Sequence, residues 1–350
     1  IPPRTQHRNH KHRYSHIDPI TGSTFHVTPL AASAMSYPAF AAVEATAAVM
    51  RGVGRTARAL CLTVTVNGGY LLLAAGLVQG LDLGVRGLAY ALVMSRYLTA
   101  GMALWVVRRD GVLGRRWAES IDWTAVRRVA VIGVPFVAEQ LFFNGGKLLT
   151  QTFVVSMGTL EITANAVAQS LVALSEIVPQ ALCIALVPIV GQAIGAGRPD
   201  DARRLIRSFL WLSTGVAAVT VAAMLAGFPW LLDVTRTPPQ VADDVAAVFL
   251  MASAARLLGW WSLSYLLAAG LRAAGDAVYT TAVATVTMVL RVALIWIVGV
   301  HLEYGVVGVW GVMVAEWGLR SAVFARRFRG SRWESRSFVT ARDPALPGCP

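Results

Sequence analysis

Eight long apolar stretches dominate this chain, at about 59 to 80, 84 to 107, 129 to 156, 160 to 190, 208 to 232, 245 to 270, 278 to 300 and 304 to 325. A bilayer core about 30 Å thick needs roughly 20 such residues in a helix, because a backbone in lipid must satisfy its own hydrogen bonds. Each stretch is long enough to cross, and short connections rich in Gly, Pro and charge separate them. A ninth stretch, 29 to 50, is Ala-rich and carries Glu44 and Pro38, which makes it the weaker candidate. The alternation of barrel strands is missing, so an all-α polytopic membrane protein is expected. Composition agrees, with 56% hydrophobic and 14% charged residues and a mean hydropathy of +0.58.

The net charge of +12 lies in short clusters between apolar runs and forms no amphipathic basic face, so a nucleic-acid partner is not expected. Basic connections stay on the cytoplasmic side. Those holding Arg51, Arg55 and Arg58, then Arg108 to Arg128, then Arg198 to Arg207, then Arg272, and finally the tail from Arg326, are separated by even numbers of crossings. The opposite connections hold only Arg86, Arg236 and His301 as basic groups. The expected location is the plasma (inner) membrane, with the basic linker and the carboxy terminus cytoplasmic. No signal peptide stands at the start, so insertion is expected to use the internal helices. Cys61 and Cys183 lie inside apolar runs and Cys349 in the tail, a pattern without pairing logic.

The chain repeats itself. At an offset of 221 residues, the distance from Arg51 to Arg272, MRGVG (50 to 54) falls on LRAAG (271 to 275) and LGVRG (83 to 87) on YGVVG (304 to 308). The second copy begins near Ile121 and holds six spans, so both copies share an orientation. The register sets the start of the first copy about one hundred residues before Ile1, and an incomplete amino-terminal half is expected. The expected fold is two six-helix bundles related by this repeat, the first incomplete. The expected divisions are a polar His/Arg-rich tail at 1 to 28, a partial amino-terminal lobe at 29 to 107, a basic cytoplasmic linker at 108 to 128, a carboxy-terminal six-helix lobe at 129 to 325, and a cytoplasmic tail at 326 to 350. Five of the six His residues fall in the first segment without regular ligand spacing, so it reads as a disordered tail and no metal site is expected.

Polar groups inside spanning helices are costly and therefore mark function. Gln140, Asn144, Lys147 and Gln151 follow at steps of four, three and four on one helix face, with Glu139 at its edge. Asn165, Gln169, Glu176 and Gln180 share a face of the next helix. If the two helices form a hairpin about Gly158, Gln151 lies level with Asn165, Lys147 with Gln169, and Glu139 or Gln140 with Glu176. The two stripes are expected to line a substrate or cation cavity, in which a carboxylate exchanges a proton or coordinates sodium. The alternative use is interhelical glue. Pro135 and Pro179 stand where a bend would open or close such a cavity. Arg256, Tyr265, Arg291 and Glu316 are accessory candidates, and Gly191 and Gly195 form a small-xxx-small pair suited to close helix contact. GxSxG, HExxH, the Walker loop and the dinucleotide fingerprint are all absent, so neither an enzyme nor an ATP-driven pump is expected from this chain.

At this point the residues resemble a family. GTLEITANAVAQS (158 to 170), PIVGQAIGAGRPDDARR (188 to 204), GLRAAGD (270 to 276) and GVVGVWGVMVAEWGLRSAVFARRFRGSRW (305 to 333) look like the carboxy-terminal lobe of the multidrug and toxic compound extrusion (MATE) exporters, in order and spacing. MRGVGR and LGVRG look like the end of the amino-terminal lobe, and the likeness covers about 36 to 333. It implies a V-shaped pair of six-helix bundles that export organic cations and other toxic compounds in exchange for sodium or protons. No cofactor beyond the coupling ion is implied, and the expected partners are a small organic substrate and membrane lipids, with the protein a monomer. The sequence departs from the family by lacking roughly its first three helices, the first of which carries an essential acidic residue in many members. Phe143 stands where some members carry a carboxylate, and Glu139 lies one turn earlier. A lipid-linked oligosaccharide flippase of similar fold and a nonfunctional transporter fragment remain as other readings.

Overall fold

The computed structural model describes residues 22 to 109, 123 to 330 and 333. Most of the His-rich segment, the middle of the basic linker and most of the carboxy-terminal tail lie outside the described residues. The described chain is helical and divides into two units, Ile1–Ser120 and Ile121–Pro350.

The first unit holds α1 (Gly22–Gly52), α2 (Thr56–Ala75) and α3 (Gly84–Arg109). Helix α1 packs on α2 and α3 through small residues such as Ala39, Val43 and Ala100. Arg96 of α3 reaches back to α1, donating to the Ser36 hydroxyl at 2.6 Å and lying over the Phe40 ring. The second unit holds α4 (Trp123–Met157), α5 (Thr159–Gly195), α6 (Pro199–Ala226), the short α7 (Phe228–Val234), α8 (Ala242–Leu257), α9 (Trp260–Ala273), α10 (Ala277–Ile295) and α11 (Gly305–Arg329). Its interior is apolar, with Leu171, Leu186, Ile206, Leu266 and Phe324 all closed from solvent.

Large apolar side chains also cover the outside, where Leu72, Trp211 and Val219 are 77%, 74% and 72% exposed. A protein in water hides such groups, and here the surrounding solvent must be hydrocarbon. Seven described helices are long and apolar enough to cross a membrane. The protein is a multi-pass membrane protein.

Two of the nine expected stretches depart from simple spans. The run at 245 to 270 is two helices, because Leu258 ends α8 and Gly259 adopts a left-handed φ of 72° before α9 begins. Only glycine takes that conformation without strain, so the break is written into the residue type. Helix α1 is continuous through Pro29 and Pro38 and is not among the seven. The α4–α5 hairpin turns on a single residue, Gly158, at φ 123°.

The repeat is visible in the backbone. Helices α2 and α10 both continue into a π-helical turn, Gly76–Gly80 and Trp296–His301, and a left-handed residue follows each, Asp82 and Glu303. Gly84 and Gly305 then start α3 and α11 at φ 52° and 57°. The ends of the π turns and the left-handed pairs stand at the offset of 221 residues seen between Arg51 and Arg272, while the second π turn starts one residue earlier. In the second copy the turn is tied down from outside, because the Glu161 carboxylate accepts the Val306 amide at 2.6 Å, a negative group at the positive end of α11.

The glycines that permit close packing are not those the sequence suggests. A Cβ on Gly191 or Gly195 would meet nothing within 4 Å, and this pair only precedes the helix stop at Gly197. On Gly270 it would lie 2.9 Å from Cγ1 of the buried Ile206 and 3.4 Å from Cδ2 of Leu186. Gly270→Val is therefore expected to cost about 1 to 3 kcal/mol by overpacking. Gly311→Ala, which meets open space, is expected to leave stability unchanged or slightly raised. Thermal unfolding of the two detergent-solubilised variants checks this, and equal melting temperatures would refute the assignment of the α5–α6–α9 contact.

Candidate functional site

The second unit encloses a cavity of about 930 Å³, lined from α4, α5, α9, α10 and α11. All nine residues of the two polar stripes line it: Glu139, Gln140, Asn144, Lys147, Gln151, Asn165, Gln169, Glu176 and Gln180. Helical geometry accounts for this placement. Steps of three and four keep one face of α4 toward the opening, while Leu141, Phe142 and Leu149 line a separate apolar groove.

The level pairing inferred from the hairpin holds at one rung. Asn165 Nδ2 donates to Gln151 Oε1 at 3.3 Å, and Asn165 Oδ1 accepts from Trp310 Nε1 at 3.0 Å, so one amide joins α4, α5 and α11. The rung of Glu139 and Glu176 does not exist as a pair, because each carboxylate turns to an arginine from a distant helix. Glu139, only 10% exposed in its side chain, accepts from Arg272 Nη1 at 3.0 Å and from the Thr281 hydroxyl at 3.1 Å. Glu176 accepts from Arg256 Nη2 at 2.7 Å and from Trp261 Nε1 at 3.1 Å. Arg256 is fixed further by its own helix, since Nη1 donates to the Ala252 carbonyl.

Two of the three remaining accessory residues, Arg291 and Glu316, belong to a third cluster. Glu316 accepts from Arg291 Nη2 at 2.5 Å and from Arg320 Nε at 2.8 Å. Tyr265 lies between these clusters and the aromatic wall. Its ring stacks on Trp261 at 5.0 Å, meets Phe143 and Trp317 edge-on, and carries the Arg320 guanidinium at 5.1 Å. Phe143 in turn lies under the Lys147 ammonium at 4.7 Å.

Arg272, counted among the loop cations by sequence, is a correction. It ends helix α9 and lines the cavity against Glu139 instead of marking a free basic loop. Arg320 and Thr281 were also missed. Arg320 has a sequence signal, a step of four from Glu316 on one helix. Thr281 has none beyond lying in an apolar run. Pro135 and Pro179 both stand inside helices that continue through them.

Residues 135 to 297 match the family model MatE. Through this stretch the chain is similar to the MATE family. That is a family of transporters and not an enzyme class. The uncharacterized transporter YisQ of Bacillus subtilis is 25% identical over 295 residues, covering 82% of this chain and 64% of the relative. The probable multidrug resistance protein NorM of Thermotoga maritima is 21% identical over 312 residues, covering 86% of this chain and 66% of the relative. The chain thus spans just under two thirds of the length of these two relatives. Among solved structures, MATE in the straight conformation superposes with a TM-score of 0.74 at 18% identity, covering 83% of this chain and 66% of the other. An outward-facing multidrug resistance MATE transporter gives 0.73 at 17% identity, covering 83% and 65%. At such identities the likeness establishes the fold.

The buried pairs give a stability test. Arg272→Met leaves Glu139 charged and without its cation, at an expected cost on the order of 3 kcal/mol. Adding Glu139→Gln removes the orphaned charge and is expected to recover most of that loss. Apparent melting temperatures of the single and double variants decide it, and additive losses would show that the pair does not act as a unit.

Proposed function

We propose that this chain is a secondary active antiporter of the MATE family, exporting drugs or other toxic organic compounds in exchange for sodium or protons. The observation that carries this reading is the second-unit cavity. It is large enough for a drug-sized molecule, walled by Phe143, Trp261, Tyr265, Trp310 and Trp317, and set with amides and ionised groups inside helices that otherwise face lipid. The match of residues 135 to 297 to the MatE model and the names of the relatives support the same activity. Aromatic faces accept flat organic bodies of many shapes, and the amides of Gln140, Asn144 and Gln169 offer adaptable hydrogen bonds.

Coupling is assigned to the cavity carboxylates. Glu139 is held by one guanidinium and one hydroxyl, so a proton or sodium ion arriving there competes with Arg272 and loosens the tie between α4 and α9. The cytoplasmic placement of the basic linker and of the carboxy terminus, in the inner membrane, belongs to this proposal and rests on the loop charges. So does a monomeric state.

The test is efflux from proteoliposomes loaded with a panel of cationic, neutral and anionic fluorescent dyes, under an imposed pH or sodium gradient. Gradient-dependent efflux of at least one dye is expected, with Glu139→Gln lowering it by about tenfold or more, the range of a lost charge-assisted contact. Normal transport by both Glu139→Gln and Glu176→Gln under either gradient would rule out the acidic groups as the coupling site.

A further inference from the structure

The charges around the cavity do not cancel. Two carboxylates line it, Glu139 and Glu176, and a third, Glu316, pairs with two lining arginines; all three are already engaged by guanidinium groups, Arg272 for the first, Arg256 for the second, and Arg291 with Arg320 for the third. A further cation, Lys147, is exposed to the cavity on the α4 face; it forms no ion pair within 4 Å among the described residues and acts on Glu176 only at longer range. It rests over the Phe143 ring, an aromatic face. Among the side chains that line the cavity, four positive charges, Lys147, Arg272, Arg291 and Arg320, stand against two negative ones, Glu139 and Glu176.

Hydrogen-bonding capacity is skewed the same way. Among the described residues, two buried side-chain nitrogens lack a partner, Arg291 Nε and Trp317 Nε1, and both are donors on side chains that line the cavity. A cavity among apolar helices with surplus cations and surplus N–H groups is short of one thing, oxygen acceptors carrying negative charge. Carboxylates would have been required for an organic cation, but here each is already spoken for by arginine. The aromatic wall beside Lys147 adds a flat apolar surface next to the charge.

Resting on the antiporter reading above, we propose that the second-unit cavity takes an organic oxyanion, an apolar or aromatic body bearing a carboxylate, sulfonate or phosphate, with Lys147 as the residue that receives the negative group. Lys147 is suited to this because an ammonium on a flexible stem follows an anion of varied position. The paired arginines act differently, since their glutamates fix them and they supply positive potential without moving.

The test uses the full chain in phosphatidylcholine nanodiscs and three naphthalene probes of equal size bearing a sulfonate, a hydroxymethyl or a trimethylammonium group. Affinity is read by quenching of tryptophan fluorescence. The sulfonate is expected to bind best, and Lys147→Gln to weaken it by about tenfold or more while leaving the neutral probe unchanged. Retained binding of the neutral probe shows that the variant is folded, and Lys147→Arg is expected to restore the sulfonate. Added phosphatidylglycerol separates two sources of the same chemistry. Competition with the sulfonate in the wild type, lost in Lys147→Gln, identifies a lipid headgroup as an occupant of the oxyanion site, and no competition leaves it to soluble anions.

Equal affinity for the three probes, preference for the ammonium, or a sulfonate affinity indifferent to Lys147→Gln would each overturn the inference. Transport of dyes without the anion preference would sink this inference alone. Lys147-dependent anion binding in a protein that moves no dye would sink the antiporter reading and leave this site standing.

Discussion

An ionised group inside a membrane-spanning helix has to bring its counter-charge with it, and the second unit is organised around that requirement. Glu139 on α4 is matched from α9, Glu176 on α5 from α8, and Glu316 on α11 from α10 and from its own helix. Each pair therefore fixes the spacing and rotation of two helices whose remaining contacts are apolar and nondirectional. Dispersion packing of Leu, Val and Ala tolerates small slides, whereas a carboxylate 3 Å from a guanidinium in low dielectric does not. The cavity keeps its shape because its walls are pinned at these points.

The repeat explains where the helices end. The π-helical turns before Asp82 and Glu303 and the left-handed glycines Gly84 and Gly305 show one local solution used twice in the chain. Divergence lies where the two copies need different things. Position 259, which carries glycine and breaks α8 from α9, corresponds in the repeat to Pro38, through which α1 continues. The break lets Trp261 and Tyr265 face the cavity while Arg256, one turn earlier on α8, meets Glu176.

How much of this the sequence carried depends on the range of the interaction. Run length and the need to satisfy backbone amides made the spanning helices legible, and glycine chemistry made the hairpin at Gly158 legible, because both are local. The Gln151–Asn165 contact was legible as well, since fourteen residues and one tight turn leave little freedom. The partners of the carboxylates were not. Arg256 lies 80 residues from Glu176 and Arg272 lies 133 from Glu139, and nothing in periodicity says which helix of a bundle faces which. Arg272 was misread for a physical reason, since a basic residue beside Gly and Asp at a helix end resembles a loop charge until its neighbours are known.

The same inventory decides between packing and function as the purpose of these groups. If their purpose were only to hold the bundle together, apolar side chains of equal volume would do it at lower cost, because each buried ion pair loses much of its attraction to desolvation. A bundle built for stability would also fill its interior, for a cavity forfeits dispersion contacts along its whole lining. Here a void of about 930 Å³ is kept open, and the charged and amide groups are concentrated on its walls. Violations of good packing that gather at one place are the mark of a site. The other side of α4 supplies the control within one helix, since Leu141, Phe142 and Leu149 line no part of the cavity and carry no polar group at all. One helix thus presents hydrocarbon outward and an amide–ammonium face inward, and only the inward face lacks a structural explanation that a simpler sequence would not serve better.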